Sequence, residues 1–382
     1  MKRGKITFLA VSILLLSSIL AAGLLGQAAG SDNLYRNLSL FTEVVSLVER
    51  NYVDQVERDA LIEGAFEGIT DAVDEFSYYV APEEVPFHHA VDPGEIAGTG
   101  LVVSKRLGYA YVIAVVKGSP ADDAGIESGD FIERIDGELT TEMPIWKIQS
   151  ALRWEEGDKL ELLVVRSGLD ERETFELEKA DFEIPAIDVQ YLEDYALIEI
   201  ANFSEGTAET FRAALLEVAE KGVEDVIIDL RGNAGGSYLE AIEAVDHLLA
   251  EGTITSLEGR RVDRRVWEAD PEVSFEGNVV VLIDNSTAAG AEIFAAALNR
   301  HENSQTVGIP TYGRAIEQRF VLLPSGGGLN ITVAHYASPE GEPITDNGVR
   351  PDVSVNRAAL ALNEQNGTSE DLILKRGVSA LE

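Results

Sequence analysis

The stretch "DNSTAAGAEIFAAAL", residues 284–298, decides the fold of the C-terminal half of this chain. It follows an apolar run at 279–283 and predicts a buried strand that passes through a tight turn into a helix of small residues. The N-terminus of a helix offers free N–H groups and a dipole that favours an oxyanion, so many α/β enzymes hold a nucleophile at such a junction. Here the turn offers only Ser286 and Thr287, and the next three residues carry no reactive group.

Strand and helix patterns alternate around this junction. The alternation predicts parallel βαβ units and therefore an α/β core. Two further strand patterns, at 319–323 and 329–334, flank "PSGGG" and predict a hairpin. The alternating segments are 195–200, 207–220, 225–230, 238–250, 279–284 and 289–300.

A separate β domain is predicted between about residues 95 and 181. It contains the strand-like stretches "GTGLVV" at 98–103, "YAYVIAVV" at 109–116 and "KLELLVVR" at 159–166, with one helical stretch at 144–154. Before it, apolar residues recur at helical spacing in two amphipathic segments. The block from about 33 to 90 is too short for a strong core of its own, so its apolar faces are expected to dock on another domain or another subunit.

The N-terminus predicts export. Three basic residues precede a nearly continuous apolar run at 6–26, which is typical of a signal peptide or of a membrane anchor. Small residues at 28–30 permit cleavage, while the run is also long enough to span a bilayer, so both alternatives stay open. Basic residues before the run favour a cytoplasmic N-terminus. We therefore expect the rest of the chain in the periplasm or another extracytoplasmic space, either free or anchored to the inner membrane.

The composition excludes several classes of function. With 67 acidic against 30 basic residues, the formal net charge is −37, which repels nucleic acid. The absence of cysteine excludes disulfides, thiol catalysis and cysteine metal sites. The five histidines show no metal-ligand spacing, so neither a metal nor another cofactor is predicted.

Five blocks of sequence, in this order, resemble the carboxy-terminal processing (tail-specific) peptidases, a serine peptidase family with a PDZ domain. The resemblance implies five parts: a signal peptide or anchor at 1–30, an N-terminal helical docking or dimerisation segment at 31–92, a PDZ-like peptide-binding domain at 93–181, a peptidase-like core of the crotonase-like ββα-spiral type at 182–360, and a tail at 361–382. The blocks are "NYVDQVERDALIEGAFEGITDAVDEFSYYVAPEE" at 51–84, "GSPADDAGIESGDFIERIDG" at 118–137, "IIDLRGNAGGSYLEAI" at 227–242, the stretch at 284–298, and "NGVRPDV" at 347–353.

The resemblance also implies two binding elements. In a PDZ-like domain the backbone N–H groups of a glycine-containing loop capture a terminal carboxylate, while the peptide adds as a strand beside a helix. By resemblance the loop is formed by Gly98, Gly100 and Leu101, and the groove is faced by Ile148 and Leu152. The alternative is that the two glycines only permit a turn before a strand.

A second glycine loop, "GNAGG" at 232–236, resembles the loop whose N–H groups contribute to the oxyanion hole of the family. The residues implied are Gly235 and Gly236. The alternative is a glycine-rich turn between a strand and a helix, and the residues alone do not separate the two.

The same resemblance places the catalytic groups. Members use a serine nucleophile, a lysine 25 residues later as general base and a glutamine four residues further on. In this chain the three positions are Ala289, Arg314 and Gln318. Alanine has no atom that attacks a carbonyl, and arginine keeps its proton at physiological pH, so both halves of the dyad are missing. Gln318 is expected to hydrogen-bond Arg314 or backbone. Arg314 is expected to pair with a carboxylate, either the C-terminus of a peptide or a nearby Asp or Glu, and the ion pair within the structure is favoured.

Three hypotheses follow. In the first, which we favour, the chain is an exported pseudopeptidase that binds unfolded polypeptides or protein C-termini without cutting them, and it pairs with itself or with an active relative through its N-terminal helices. In the second it is an active peptidase whose nucleophile has moved to Ser286 or Thr287, although these residues are better explained as turn and helix N-cap residues. In the third it is a non-catalytic assembly scaffold.

Overall fold

A computed structural model describes residues 35–88, 98–153, 159–166, 172–178, 186–345, 347–360 and 370–381. The predicted signal peptide or anchor at 6–26 lies outside these residues. Among the helices within them, none has the length and apolarity needed to cross a membrane. The chain divides into two compact units, Met1–Gly68 and Ile69–Glu382, which are described separately.

The first unit contains the two helices that the sequence predicts. Helix α1 covers residues 35–51, and α2, Arg58–Asp71, begins in this unit. The guanidinium of Arg58 donates to both carboxylate oxygens of Glu49, at 2.7 and 2.9 Å, and so ties the two helices together. One face of α1 nevertheless keeps large apolar side chains in solvent: Leu38, Phe41, Val44 and Leu47 are between 43% and 53% exposed.

The second unit contains the predicted β domain as one antiparallel sheet with the strand order β2-β3-β4-β6-β7, with β5 paired to β4. Its core is packed by apolar side chains from the sheet and from the helix α5, which confirms the predicted strands and helix. The elements, preceded by β1 and α3, are β1 (Tyr78–Val80), α3 (Val85–His88), β2 (Leu101–Arg106), β3 (Tyr109–Val115), α4 (Pro120–Ala124), β4 (Phe131–Ile135), β5 (Glu138–Leu139), α5 (Ile145–Ala151), β6 (Lys159–Val165) and β7 (Arg172–Glu178).

The α/β core is built on a six-stranded sheet with the order β17-β14-β13-β10-β9-β8. All neighbouring pairs in it are parallel except β8 with β9, which confirms the predicted βαβ units. Because parallel strands end at the same edge, the loops after β10 and β13 meet there. The elements are β8 (Ile187–Tyr191), β9 (Ala196–Ile200), α6 (Thr207–Glu220), β10 (Asp225–Asp229), α7 (Tyr238–Asp246), β13 (Asn278–Ile283), α8 (Gly290–Leu298), β14 (Ser304–Gly308) and β17 (Val353–Ser354).

A second sheet in this unit joins the predicted hairpin to distant strands. The hairpin strands pair in antiparallel register, and the second of them also pairs with β1 and β11, so that the N-terminal strand of the unit is tied into the peptidase-like core. The strands of this sheet, besides β1, are β11 (Thr253–Glu258), β12 (Arg265–Glu268), β15 (Ile316–Leu322) and β16 (Gly328–Ala337).

The two faces of the six-stranded sheet are covered by different helices. Alternate residues of β13 divide between them: Val281 packs in the cluster that holds α6, α7 and α8, while Val280 and Leu282 pack with Ile373 on the other side. Ile373 belongs to helix α9, Leu372–Leu381. No element was predicted within 361–382, and this helix is therefore an addition to the sequence prediction. Its apolar residues recur at helical spacing, which is the signal that could have revealed it.

We expect Ile373→Ala to lower the free energy of unfolding by about 2–4 kcal/mol, because the side chain is 5% exposed and its loss leaves a cavity against β13. The control is Lys375→Ala in the same helix, whose side chain is 65% exposed and which should leave stability nearly unchanged. Urea unfolding of both variants checks the expectation. Equal midpoints for Ile373→Ala and wild type would show that α9 is not part of the core.

Candidate functional site

The turn between β13 and α8 holds a strained residue. Ala289 is the N-cap of α8 and has φ 57° and ψ −119°, which is a region that a residue with a Cβ rarely adopts. Such a conformation costs about 1–3 kcal/mol and persists only where the surroundings enforce it. The predicted strand, turn and helix are confirmed, and the strain lies at the residue that the resemblance assigns to the nucleophile.

A buried carboxylate enforces this conformation. Glu292, in the first turn of α8, is fully buried, and each of its oxygens accepts two hydrogen bonds. Oε2 accepts from the backbone N–H groups of Ala289 at 3.0 Å and Arg314 at 2.7 Å. Oε1 accepts from the Thr311 hydroxyl at 2.5 Å and the Gly313 N–H at 2.6 Å. Because two of these bonds reach one oxygen, the backbone nitrogens of residues 289 and 314 lie within about 6 Å of each other.

The protonation of Glu292 is set by two opposing effects. Burial raises its pKa to about 7, because an ionised carboxylate loses its hydration there. The four hydrogen bonds favour the ionised form and act against that rise, because all four partners are donors. The carboxylate is therefore a structural clamp between the turn and the segment that carries Arg314.

Arg314 itself is half-buried and has an aromatic neighbour. The centre of its guanidinium lies 5.8 Å from the centroid of the Phe76 ring, within the range of a cation–π contact. Gln318 donates from Nε2 to the Phe76 carbonyl oxygen at 2.8 Å, which confirms the backbone alternative predicted for this residue. In the described part of the chain no carboxylate lies within ion-pair distance of Arg314, so the expected ion pair is wrong there. The carboxylate that lies near, that of Glu292, is occupied by backbone donors.

The two hydroxyls of the turn are engaged in holding it. Ser286 Oγ accepts from the Gly232 N–H at 2.7 Å and donates to Asp284 Oδ1 at 2.5 Å. Thr287 Oγ1 donates to the Leu230 carbonyl at 3.0 Å and accepts from the Asp284 N–H at 3.1 Å. Both residues are buried. Their prediction as turn residues is confirmed, whereas the N-cap is Ala289, because the strained backbone delays the start of the helix.

The glycine loop at 232–236 lies beside this turn. The Ala288 N–H donates to the Asn233 carbonyl at 2.9 Å, which joins the turn to the loop. Gly236 has φ 95°, and a Cβ there would lie 2.4 Å from the Phe203 carbonyl oxygen, so the close approach to Phe203 requires glycine. The structure thus brings Gly235 and Gly236 to the same edge as Ala289, while their role in an oxyanion hole stays a prediction.

An ion-pair network anchors the start of this loop. Arg231 donates to Asp229 Oδ1 at 2.8 Å and to Asp371 Oδ1 at 2.8 Å, which ties the loop to the segment before α9. The two carboxylates raise the pKa of the largely buried Arg231 guanidinium against the opposing effect of burial. The helix that the sequence analysis missed therefore also supports the site.

The sheet of the β domain packs directly against the site. Tyr111, Ile113 and Ala114 of β3 form one apolar cluster with Ala234 of the glycine loop and Ala288 of the turn. The β domain and the site are therefore parts of one packed arrangement.

An open pocket of about 310 Å³ lies between the β domain and the core. It reaches from the edge of β2 that pairs with no described strand, and from the first turns of α5, to Arg314, whose side chain forms part of the wall. Its lining is mixed, with aromatic rings and a few polar groups, as is usual for a ligand site. The lining residues are Phe76, Tyr78, His88, Val103, Ser104, Ile145, Gln149, Arg314, Gln318, Phe320 and Asn330.

The residues predicted to bind a peptide terminus lie outside the lining of this pocket. Ile148 lies on the inner face of α5 and Leu152 is the C-cap residue of that helix; they are 0% and 2% exposed and pack in the core of the β domain. The Leu101 N–H already donates a hydrogen bond to the Thr99 hydroxyl oxygen, at 3.3 Å. Gly98 and Gly100 have φ values of 77° and 78°, which fits the turn that was the alternative explanation. A part in peptide binding stays a prediction for all five.

Comparison with known proteins agrees with this architecture. Residues 194–355 match peptidase family S41, and residues 111–166 match the PDZ domain. The chain therefore carries a PDZ domain and an S41 serine protease core, and curated relatives of it are named carboxy-terminal processing proteases.

Individual relatives can be aligned with most of the chain. A carboxy-terminal-processing protease of Bartonella bacilliformis is 27% identical over 92% of this chain and 83% of its own length. The carboxy-terminal processing protease CtpA of Bacillus subtilis is 28% identical over 87% of this chain and 72% of its own. Among solved structures, the photosystem II D1 C-terminal processing protease superposes with a TM-score of 0.68 at 23% identity, covering 83% of this chain and 92% of that one. This structural likeness shows that the fold is shared.

We expect Glu292→Gln to lower the free energy of unfolding by about 3 kcal/mol, because the amide N–H₂ would face two of the four donors and leave them unsatisfied in the interior. Glu209→Gln is the matched control, since the Glu209 side chain is 76% exposed. Thermal and urea unfolding measure both. A loss no larger than that of Glu209→Gln would contradict the clamp.

Proposed function

We propose that this chain is a pseudopeptidase of the C-terminal processing protease family: it binds unfolded polypeptides or protein C-termini and does not cleave them. The observation that carries the proposal is that the backbone N–H groups of Ala289 and Arg314 both donate to the same oxygen of Glu292, Oε2. The turn at Ala289 has a strained geometry suited to a nucleophile, and the segment that carries Arg314 is held beside it. The reactive atoms of both residues are missing from the sequence.

The chemistry supports the absence of cleavage. A methyl group offers no lone pair, and a guanidinium keeps its proton at physiological pH and therefore accepts none from a hydroxyl. A relocated nucleophile is opposed by the hydrogen bonds of Ser286 and Thr287, because each hydroxyl already donates one bond and accepts another. A nucleophile displaced by only about 1 Å loses on the order of a hundredfold in rate.

The place of action and the oligomeric partners form part of the same proposal. The basic residues followed by the apolar run at 6–26 support export, by cleavage or by anchoring. The exposed apolar face of α1 supports docking of this segment on a second copy of the chain or on an active relative.

Restoring the dyad should restore proteolysis. We expect the purified full-length protein, in mild detergent, to leave an unfolded substrate with an apolar C-terminus intact, and the double variant Ala289→Ser/Arg314→Lys to degrade it. The reason is that the Glu292 clamp already holds both backbone positions. Gel electrophoresis and mass spectrometry of the substrate over time measure the result. Each single variant is the control and should remain inactive, since the nucleophile and the base act as a pair.

Cleavage by the wild-type protein would contradict the proposal, provided that it persists through purification. The variants Ser286→Ala and Thr287→Val then identify the group responsible. If cleavage disappears in either variant, the relocated-nucleophile hypothesis is correct, and if it persists in both, the activity belongs to a contaminating protease.

The docking of α1 is tested by introducing negative charge into its apolar face. We expect the double variant Val44→Glu/Leu47→Glu to shift the full-length protein in detergent from a dimer or larger assembly to a monomer, because two carboxylates would be buried in the contact. Sedimentation velocity measures the shift, and Glu43→Gln is the control. A wild-type protein that is already monomeric at every concentration removes self-association from the proposal and leaves an active relative as the partner.

A further inference from the structure

The pocket beside the position assigned to the base contains a cation, Arg314, that forms no ion pair with a described carboxylate. The chain has 67 acidic and 30 basic residues. In a chain with this excess of carboxylates, a partly buried arginine that has no carboxylate partner among the described residues is unexpected. Arg314 is such a residue: its contact among the described side chains is the Phe76 ring. Most of the donor capacity of its guanidinium is therefore available to a ligand in the pocket.

We propose that Arg314 binds a carboxylate carried by the peptide that occupies this pocket. The proposal rests on the proposed function, since it assumes that a peptide binds without being cut. A guanidinium presents two parallel N–H groups that match a carboxylate, so this residue type at the base position favours recognition of an acidic group over proton transfer.

The route of the peptide follows from the sheet. β2 is the edge strand of its sheet among the described strands. One side of β2 pairs with β3, and the pocket lies between its other side and α5. An extended peptide adds to such an edge by main-chain hydrogen bonds. Val103 and Ser104 of β2 line the same pocket as Arg314, so a peptide on this edge brings its main chain or its end to the guanidinium.

The backbone of Arg314 is held in place before any ligand arrives. Its N–H donates to Glu292 Oε2, and its carbonyl accepts from the Tyr238 hydroxyl at 3.2 Å. The ring under the guanidinium is fixed as well, because the Phe76 carbonyl accepts from Gln318 and the Phe76 N–H donates to Asp74 Oδ1 at 2.9 Å. A pre-organised donor loses less conformational entropy on binding. Gln318 thus acts as a positioning residue for Phe76, whose ring contacts the guanidinium.

The carboxylate has two sources, the C-terminus of a chain and an internal acidic side chain. Four fluorescent peptides with the same apolar tail separate them: free acid or amide at the C-terminus, combined with Glu or Gln at the fourth residue from the end. Fluorescence anisotropy measures their dissociation constants for the full-length wild type, Arg314→Gln and the control Arg319→Gln. Arg319 is an exposed arginine on β15 and pairs in register with Ile331 of β16.

We expect wild type and Arg319→Gln to bind one carboxylate-bearing form about tenfold or more tightly than its neutral counterpart, as for a charged hydrogen bond. Arg314→Gln should bind both forms with the affinity of the neutral one. Discrimination between acid and amide assigns the site to C-termini, and discrimination between Glu and Gln assigns it to side chains.

Two other outcomes overturn the inference in distinguishable ways. If wild type binds all four peptides equally, or if Arg314→Gln discriminates as wild type does, Arg314 is not the recognition group while peptide binding stands. If none of the proteins binds any of the peptides, peptide binding fails and the inference fails with it. Equal urea midpoints for wild type and Arg314→Gln ensure that a lost preference is not a loss of folding.

Discussion

The buried carboxylate of Glu292 is the interaction on which the geometry of the site depends. It joins two segments that are separated by 19 to 22 residues in sequence and satisfies four donors with two oxygens. A buried anion is stable only when all of its acceptor sites are used, and here backbone donors supply three of the four bonds. The strain at Ala289 follows from this, because the bond from its N–H to Oε2 fixes the turn that α8 requires.

The clamp extends beyond the site. The Thr311 hydroxyl that donates to Glu292 also accepts from the Val349 N–H at 2.7 Å, and a Cβ on Gly348 would lie 2.3 Å from the Thr311 carbonyl oxygen. The block "NGVRPDV" therefore closes the network from the far end of the chain. This support is thus complete around the two positions that the resemblance assigns to the dyad, which here hold Ala289 and Arg314.

The sequence predicts the elements of local structure well. The strand, turn and helix at 284–298, the parallel βαβ units and the hairpin are all set by periodicity and by glycine, and all are present. The fold class, an α/β core with a PDZ domain and N-terminal helices, is confirmed by the structure and by the comparisons.

The contacts between distant segments are harder to predict. The four donors to Glu292, the engagement of Ser286 by Gly232 and the packing of α9 all join residues far apart in the chain, where periodicity carries no information. The ion pair expected for Arg314 within the structure was wrong for the same reason: the carboxylate that contacts its backbone, that of Glu292, is occupied by three backbone N–H groups and the Thr311 hydroxyl. The burial of Ile148 and Leu152 depends on which face of α5 meets the sheet, which a seven-residue helix leaves ambiguous in sequence.

The central claim is that binding survives where cleavage does not, and one measurement addresses both. An unfolded protein with an apolar C-terminus is incubated with the full-length wild type, the complex is isolated, and the bound polypeptide is weighed by intact-mass spectrometry. The account predicts that the polypeptide is recovered in the complex at its full, unchanged mass. A bound polypeptide shortened at its C-terminus, or no complex at all, would contradict it.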